Sequence, residues 1–335
     1  IAPGICGPVA ETVTIRNLRH ISDWVRYLAR SNKLPSSSDT GGVIASLFNL
    51  HVSGDFPSAA FSMLAGQRYD PSFNYMFADP VHMQADMDHA LLTSSADLDI
   101  DEHEAATFCE VLNQHFNADA ISFTRIDKDR WIVISEEAIE LKTTPLSNAV
   151  GRNVNFILPE GAAARRWKQL LTEAQMLMHS HTINVARENT GRHTINSLWF
   201  HGAGRLPKAG SCNIDSVCSN DILFQGLAAH VQCEFMQLPH SVAEYINYLL
   251  HSDNEVNVLH LSSLEHLINY TDVGIWSQEL AQILDLWIYP LLIMANKNNY
   301  NVVLYPCNGY HYQFSKFDAF KIWRHEKLEE HVSSY

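Results

Sequence analysis

The stretch QMLMHSHTINVARENTGRHTINSLWFHGAGRLP, Gln175 to Pro207, decides how the chain is read, because it concentrates polar side chains that a core does not need. It holds His179, His181, Asn184, Arg187, Arg192, His193, Asn196 and His201, and it closes on Trp199, Gly202 and Gly204. Upstream, Trp167, Leu170, Leu171, Ala174, Met176 and Met178 follow the spacing of an amphipathic helix, so the polar residues come after its C-terminal end. A short apolar run, Ile195 to Phe200, then breaks on a glycine pair. Glycine tolerates positive φ and lets another backbone or a ligand approach, so a strand ending in His201-Gly202-Ala203-Gly204 predicts a loop at the rim of an α/β sheet. The same spacing fits a tight strand-to-loop turn with surface polar residues, and a lone G-x-G does not separate the two.

With 335 residues, the chain is long enough for two domains or one α/β domain with a large insertion. A net charge of -14 argues against a nucleic-acid partner, since phosphate binding draws its affinity from clustered Lys and Arg. The histidines are scattered, with no H-E-x-x-H spacing. Cys6, Cys109, Cys212, Cys218, Cys233 and Cys307 form no C-x-x-C pair and are expected to be reduced thiols of a cytoplasmic protein, Cys212 and Cys218 being close enough in sequence to pair in an oxidising compartment. No membrane partner is expected, because the longest apolar run, Ile283 to Ala295, is interrupted by Asp285 and Pro290. No signal peptide is read, and a chain that opens on Ile1 leaves room for preceding residues that matter.

Helices are expected at Leu18 to Ala29, Gly42 to Leu50, Phe56 to Gly66 and Leu98 to Phe116, the last capped and flanked by Asp99, Asp101, Glu102 and Glu104. Ala120 to Arg125 and Arg130 to Ser135 read as a hairpin turning at Asp127-Lys128-Asp129. Asp79-Pro80-Val81-His82 reads as a turn stiffened by proline. Beyond the opening stretch, Asp221 to Leu227, Val256 to Ser262 and Asn301 to Pro306 read as buried strands alternating with helices at Ser241 to Leu250 and Gln278 to Asn296. That alternation predicts an α/β fold with a largely parallel sheet and helices on both faces.

The runs EAATFCEVLNQHF (104 to 116), DRWIVI (129 to 134), TTPLSNAVGRNVNFILPEG (143 to 161), EAQMLMHSHTINVARENTGRHTINSLWFHGAG (173 to 204) and DILFQGLAAH (221 to 230) carry a resemblance in that order. The chain resembles the archaeal-type cofactor-independent phosphoglycerate mutases, and more closely their shorter bacterial relatives of regulatory, phosphoglycerate-mutase-related type. The resemblance implies an alkaline-phosphatase-like core, residues 1-72 and 196-335, interrupted by a smaller inserted α/β domain, 73-195. It also implies an anion or substrate site. Arg130 matches the arginine of the family's Y-R-H strand, Arg187 matches its V-N-x-x-R motif, and Asn184, Asn196, Gly202 and Gly204 match as well. Arginine suits such a site because its planar fork of donors fits a phosphate or carboxylate.

Departures from the family concern the metals. Its dinuclear site takes carboxylates after the first strand and in two later turns, whereas this chain has Ile1-Ala2-Pro3-Gly4-Ile5-Cys6, Ser263-Leu264-Glu265-His266 and Cys307-Asn308 at those places. Hard Mn²⁺ or Mg²⁺ prefers carboxylate oxygens, so Glu265, His266 and Asn308 are weak ligand candidates and no metal cofactor is expected. Ser36, Ser37, Ser38 and Thr40 lie where a nucleophile is sought and read better as a flexible loop. Trp323-Arg324-His325 resembles a motif of the bacterial relatives.

Two functions follow from these readings. The first is a non-catalytic or altered descendant that binds a phosphorylated metabolite, or a protein partner, through Arg130, Asn184 and Arg187 converging near Gly202 to Gly204. The alternative is a phosphotransferase with phosphoglycerate mutase activity, dependent on Mn or Mg held by non-standard ligands. A competing fate for each arginine is a local carboxylate, Glu188 or Glu173 in the case of Arg187.

Overall fold

A computed structural model describes residues 1–7, 19–86, 89–267, 273–315, 318, 324 and 331. It is an α/β protein whose described residues form two compact units, one of residues 1–49, 211–224 and 231–335, the other of 50–210 and 225–230. Residues 50–72 and 196–210, assigned from sequence to the core, therefore belong to the same unit as the middle segment. The expected helix start at Leu18 lies outside the described residues, as do Trp323 and His325.

The second unit is organised by a long central strand, Asn74–Asp86. Its Asn74–Phe77 half pairs antiparallel with Arg130–Ser135, which in turn pairs with Ile121–Asp127, while His82 onward pairs with His89–Thr93. On the other side, Ser197–Gly204 runs antiparallel along Tyr75 to Val81. Pro80 sits where the central strand changes partner, opposite Leu198 only. A missing N–H costs nothing in that gap, so Asp79-Pro80 is strand and not the expected turn.

Alternation along the central strand separates two faces. Met76 and Ala78 point into the large core with Trp131, Val133, Leu198, Phe200, and the helices Glu102–His115 and Ala164–His179. On the opposite face, Tyr75, Phe77 and Ile132 pack under Ala59, Ala60 and Met63 of the helix Ser58–Ala65. Farther along that face, Val81 and Trp199 pack with Leu146, Ala149 and Val150. Asp79 falls between these two apolar patches.

In the first unit, strands Glu234–Met236, Ser216–Cys218 and Asn257–Leu259 form a parallel sheet, in that order. Asn32–Pro35, Tyr310–Phe314 and Val302–Leu304 form an antiparallel one. The expectation of a largely parallel sheet is thus corrected: Val302–Leu304 meets the next strand through a hairpin-length connection, which permits only antiparallel pairing. Asp221 to Leu227 is also corrected. It lies in the helix Ile222–Val231, entered through the Asp221 carboxylate, which accepts from the Leu223 amide at 2.9 Å. A short apolar run does not distinguish buried strand from buried helix.

Gly226 in that helix explains why the run contains a glycine. A Cβ there would stand 1.8 Å from the carbonyl oxygen of Phe61, a backbone atom that cannot step aside. Gly226→Ala should therefore destabilise the chain by about 1–3 kcal/mol, the usual cost of overpacking, seen as a lower midpoint in denaturant; an unchanged midpoint would show that the helices part freely.

Candidate functional site

Arg187 and Asn184, expected in an anion site, are structural. Arg187 is 1% exposed and its Nη1 donates to Glu104 Oε2 at 2.6 Å. Its Nε donates to the His193 carbonyl at 2.7 Å, and its Nη2 to the carbonyl of Leu98. Burial lowers the Arg187 pKa and the Glu104 carboxylate beside it opposes that fall. Asn184 is equally buried: Nδ2 donates to the Met178 and Ile195 carbonyls at 2.8 and 2.9 Å, and Oδ1 accepts from the Ile195 amide at 2.8 Å. Together they tie a helix end to the start of a strand. The carboxylate is Glu104, not the Glu188 or Glu173 nearer in sequence.

Glu104 carries three loads. It also accepts from Arg192, and it completes a capping box with Asp101, as the acidic run at this helix start predicts. Glu104→Gln should leave Arg187 buried without its counter-charge and cost about 3–5 kcal/mol, the magnitude for breaking a buried pair. Denaturant unfolding measures it, and a loss below about 1 kcal/mol, the range of exposed pairs, would mean that Arg187 is balanced elsewhere.

Asn196 imitates a strand residue. Its amide accepts from Met83 N at 2.7 Å and donates to Met83 O at 2.9 Å, prolonging the ladder past Ser197. Gly202 occupies a bulge where the register shifts between Tyr75, opposite Gly204, and Phe77, opposite His201. Its φ is +66°, and a Cβ would meet Ser58 Oγ at 2.0 Å, so no other residue fits without displacing that serine. The bulge frees the Gly202 amide, which donates to Thr143 Oγ1 at 3.1 Å.

Arg130 is placed differently. Its side chain is 40% exposed, with the guanidinium carbon 5.0 Å from the centre of the Phe77 ring and Nε 3.9 Å from Asp79 Oδ1. Asp79 is fully buried, and its Oδ2 accepts from His201 Nε2 at 2.9 Å. His201 stacks on the same Phe77 ring, at 4.9 Å between centres. Nearby, both Asp55 oxygens accept from the Thr143 amide at 2.9 Å, and the Thr143 hydroxyl donates to Oδ2. Burial pushes the Asp55 carboxyl above its usual range, against the pull of those Thr143 bonds. The Thr143 loop is held by Trp199, whose Nε1 donates to Thr144 O at 2.8 Å.

The structure thus gathers Arg130 and Gly202 with Asp55, Asp79, Thr143 and His201, and it excludes Asn184 and Arg187. The added residues had weak signals: an acid inside the apolar run Met76 to Val81, and a histidine directly after Leu198 to Phe200. Thr143 only opens one of the runs that carry the resemblance, and Asp55 had no signal.

In the first unit, the weak ligand candidates are engaged with neighbouring protein groups. Asn308 Nδ2 donates to His331 O and its Oδ1 accepts from Tyr310 N at 3.2 Å. Glu265 Oε1 accepts from Thr40 Oγ1 at 3.4 Å, and His266 sits in the same short helical turn. No group of three or more His, Cys, Asp or Glu side chains among the described residues is arranged to hold an ion. Of the serine loop, Ser37 Oγ bonds Asp39, which caps the helix Thr40–Leu47. None of the six cysteines is in a disulfide, Cys212 and Cys218 included. Arg324 Nη1 donates to Ser31 O at 2.9 Å.

At the ends of the parallel strands, His260 Nδ1 lies 3.0 Å from Ser219 Oγ, and its ring stacks on Phe224 at 4.1 Å. Burial lowers its pKa to about 3, and lowers that of His331 to about 4. A folded pKa depressed below that of the free imidazole means stability that is present above about pH 6.5 and drains away as pH falls toward 3. The melting temperature should therefore drop through that window, and His260→Gln should flatten the drop; an unaltered slope would assign it to other groups.

No protein-family profile matches the chain. Over 180 residues it is 22% identical to the 2,3-bisphosphoglycerate-independent phosphoglycerate mutase of Methanosarcina mazei, covering 52% of this chain and 45% of that one. The Methanosarcina barkeri enzyme of the same name is 22% identical over 180 residues, 52% of this chain and 44% of its own. The chain spans less than half the length of these relatives. Among solved structures, the PH0037 protein of Pyrococcus horikoshii has a TM-score of 0.49 at 13% identity, covering 90% of this chain and 79% of that one. The cofactor-independent phosphoglycerate mutase of Thermoplasma acidophilum has a TM-score of 0.35 at 12% identity, covering 78% and 75%. This α/β chain is therefore distantly similar to archaeal cofactor-independent phosphoglycerate mutases. No helix of the described residues is long and apolar enough to cross a membrane.

Proposed function

We propose that the chain is a phosphoglycerate-mutase-like protein that binds a phosphorylated small acid, or an anion of that size, at the Arg130 site, and that it acts as a regulatory binder without a metal cofactor. In this reading the middle segment is an insertion in an alkaline-phosphatase-like core, and the protein works in the cytoplasm on a metabolite or a protein partner that presents the anion. One observation carries the proposal: of the two arginines singled out, Arg187 is 1% exposed and closed off by Glu104, while the Arg130 side chain is 40% exposed, with its guanidinium over an aromatic ring beside a bulge. A guanidinium so held has little rotamer freedom left to lose when it takes an oxyanion.

The test is thermal. Millimolar 3-phosphoglycerate or inorganic phosphate should raise the melting temperature by linkage, about 2.7 kcal/mol at a hundredfold excess over Kd. Arg130→Met should abolish the shift, while Val185→Ala, on the exposed face of its helix, should leave it intact. Melting curves unmoved by both ligands would sink the anion-binding reading. Conversion of 3-phosphoglycerate to its 2-isomer in the presence of Mn²⁺ or Mg²⁺ would replace the binder with the enzyme.

A further inference from the structure

Two imidazoles meet in the second unit, and the Arg130 site makes no use of them. His82 on the central strand and His193 in the turn before the strand Ser197–Gly204 hold their ring centres 4.9 Å apart, tilted by 40°. His82 is half-buried and His193 is exposed.

The Thr194 carbonyl settles which nitrogen of His82 is open. It lies 2.9 Å from Nδ1 and can only accept, so Nδ1 carries the hydrogen. The Thr194 hydroxyl lies 3.0 Å from the same nitrogen. Burial lowers the His82 pKa, opposed by the Thr194 bond and aided by the charges of His193 and Arg187. The ring is therefore neutral at pH 7 and Nε2 holds a lone pair, which no hydrogen-bond donor meets among the described residues. A carbonyl that fixes one imidazole N–H and leaves the other nitrogen as a donor of electrons is the arrangement of a metal-binding histidine.

The spacing suits a second ligand. An ion bound to an imidazole nitrogen at about 2.0–2.1 Å stands about 3.2 Å from the ring centre. Two centres 4.9 Å apart then subtend about 100° at a shared ion, between the octahedral and tetrahedral angles. The nearby charge also permits a cation, because Arg187 is paired with Glu104. Stacking alone accounts for the ring distance too, and it is the outcome the experiment must exclude.

We propose that His82 Nε2 and His193 form a two-histidine site for a borderline divalent transition ion of the Zn²⁺, Ni²⁺ or Cu²⁺ class, its other positions taken by water or an exogenous donor. Imidazole suits these ions, whereas Mg²⁺ and Ca²⁺ take oxygen. With two protein ligands the site is exchangeable, unlike the closed cages of structural zinc. The ion would clip the central strand to the turn in which Arg187 Nε holds the His193 carbonyl. It belongs to the second unit, not to the Glu265, His266 and Asn308 positions of the first, and it does not rest on the anion-binding reading.

Because the chain has 18 histidines, the measurement must resolve position. Crystals of the whole chain soaked in ZnCl₂ should show an anomalous peak at the zinc edge about 2.0–2.1 Å from His82 Nε2 and from one His193 nitrogen. In solution, competition with a chromophoric chelator reads the Zn²⁺ affinity. His193→Gln, an exposed change that leaves the Thr194 bonds alone, should weaken the tightest site by more than about tenfold, the least that loss of even an outer-shell partner costs. His82→Gln should match it, and the double variant should be no weaker than either, since the remaining imidazole chelates nothing. His51→Gln, at an exposed loop histidine, should change nothing, and millimolar Mg²⁺ should not displace the zinc. If His82→Gln does not fold, His193→Gln and the anomalous map still decide. Zinc peaks that avoid both rings, or an affinity untouched by His193→Gln, reduce the pair to stacked aromatics and overturn the site. Losses that add in the double variant mean two separate sites and overturn the shared ion, and displacement by Mg²⁺ overturns coordination by imidazole.

Discussion

Much of the second unit depends on one buried carboxylate. Glu104 lies at the first turn of the helix Glu102–His115, almost out of solvent, and holds Arg187 and Arg192 while closing a capping box with Asp101. An ion pair in such a place seldom stabilises by its Coulomb energy alone, since desolvation consumes much of it. What it secures here is geometry. Arg187 reaches from the same pair to the carbonyls of Leu98 and His193, so one guanidinium joins the loop before a helix, the helix itself and the turn into the Ser197–Gly204 strand. The backbone groups of two irregular segments are satisfied by it, which apolar packing could not do.

The same strand is shaped at its other end by a different constraint. Asn196 extends the ladder with its side-chain amide, and the bulge at Gly202 then breaks it. Between these two points the strand is fully committed to the sheet. The break frees one amide for Thr143 and admits Ser58 against the backbone, so the polar patch opens where the ladder fails. Pro80, opposite Leu198, removes a donor from the neighbouring strand on the other side of Asp79 from that bulge. Two local departures from regular pairing thus frame Asp79.

How far this was legible in the sequence depends on the kind of signal. Long periodic segments were legible: the helices Glu102–His115 and Ala164–His179 and the hairpin at Asp127 to Arg130 stand close to where their spacing put them. Short apolar runs were not, as Asp221 to Leu227 shows, because nothing in five to seven apolar residues distinguishes a helix turn from a strand. Strand direction was illegible for the same reason. Alternation with helices suggested parallel neighbours for Val302–Leu304, but a five-residue connection decides direction and carries no hydrophobic signal. Within the candidate site, Arg130 and Gly202 were legible through resemblance. Asp55 and Thr143 come together only through a fold that brings positions 55, 143 and 202 to one point.

Arg187 and Arg130 also show why residue type misled. Both are arginines in runs that resemble the same family, and both lie near a buried acid. The difference lies in burial and in the distance to that acid. Around Arg187, a carboxylate and two carbonyls meet the guanidinium from three sides, so nothing from outside can compete without unfolding the turn. Around Arg130, the nearby carboxylate stands at 3.9 Å, beyond a hydrogen bond, and is itself left with an unmatched oxygen. A protein that needed Arg130 only for packing would gain by closing that distance, since a direct charge-assisted bond satisfies both partners. The gap leaves the pair coupled electrostatically without a direct hydrogen bond, while the Arg130 side chain stays 40% exposed and the buried Arg187 does not.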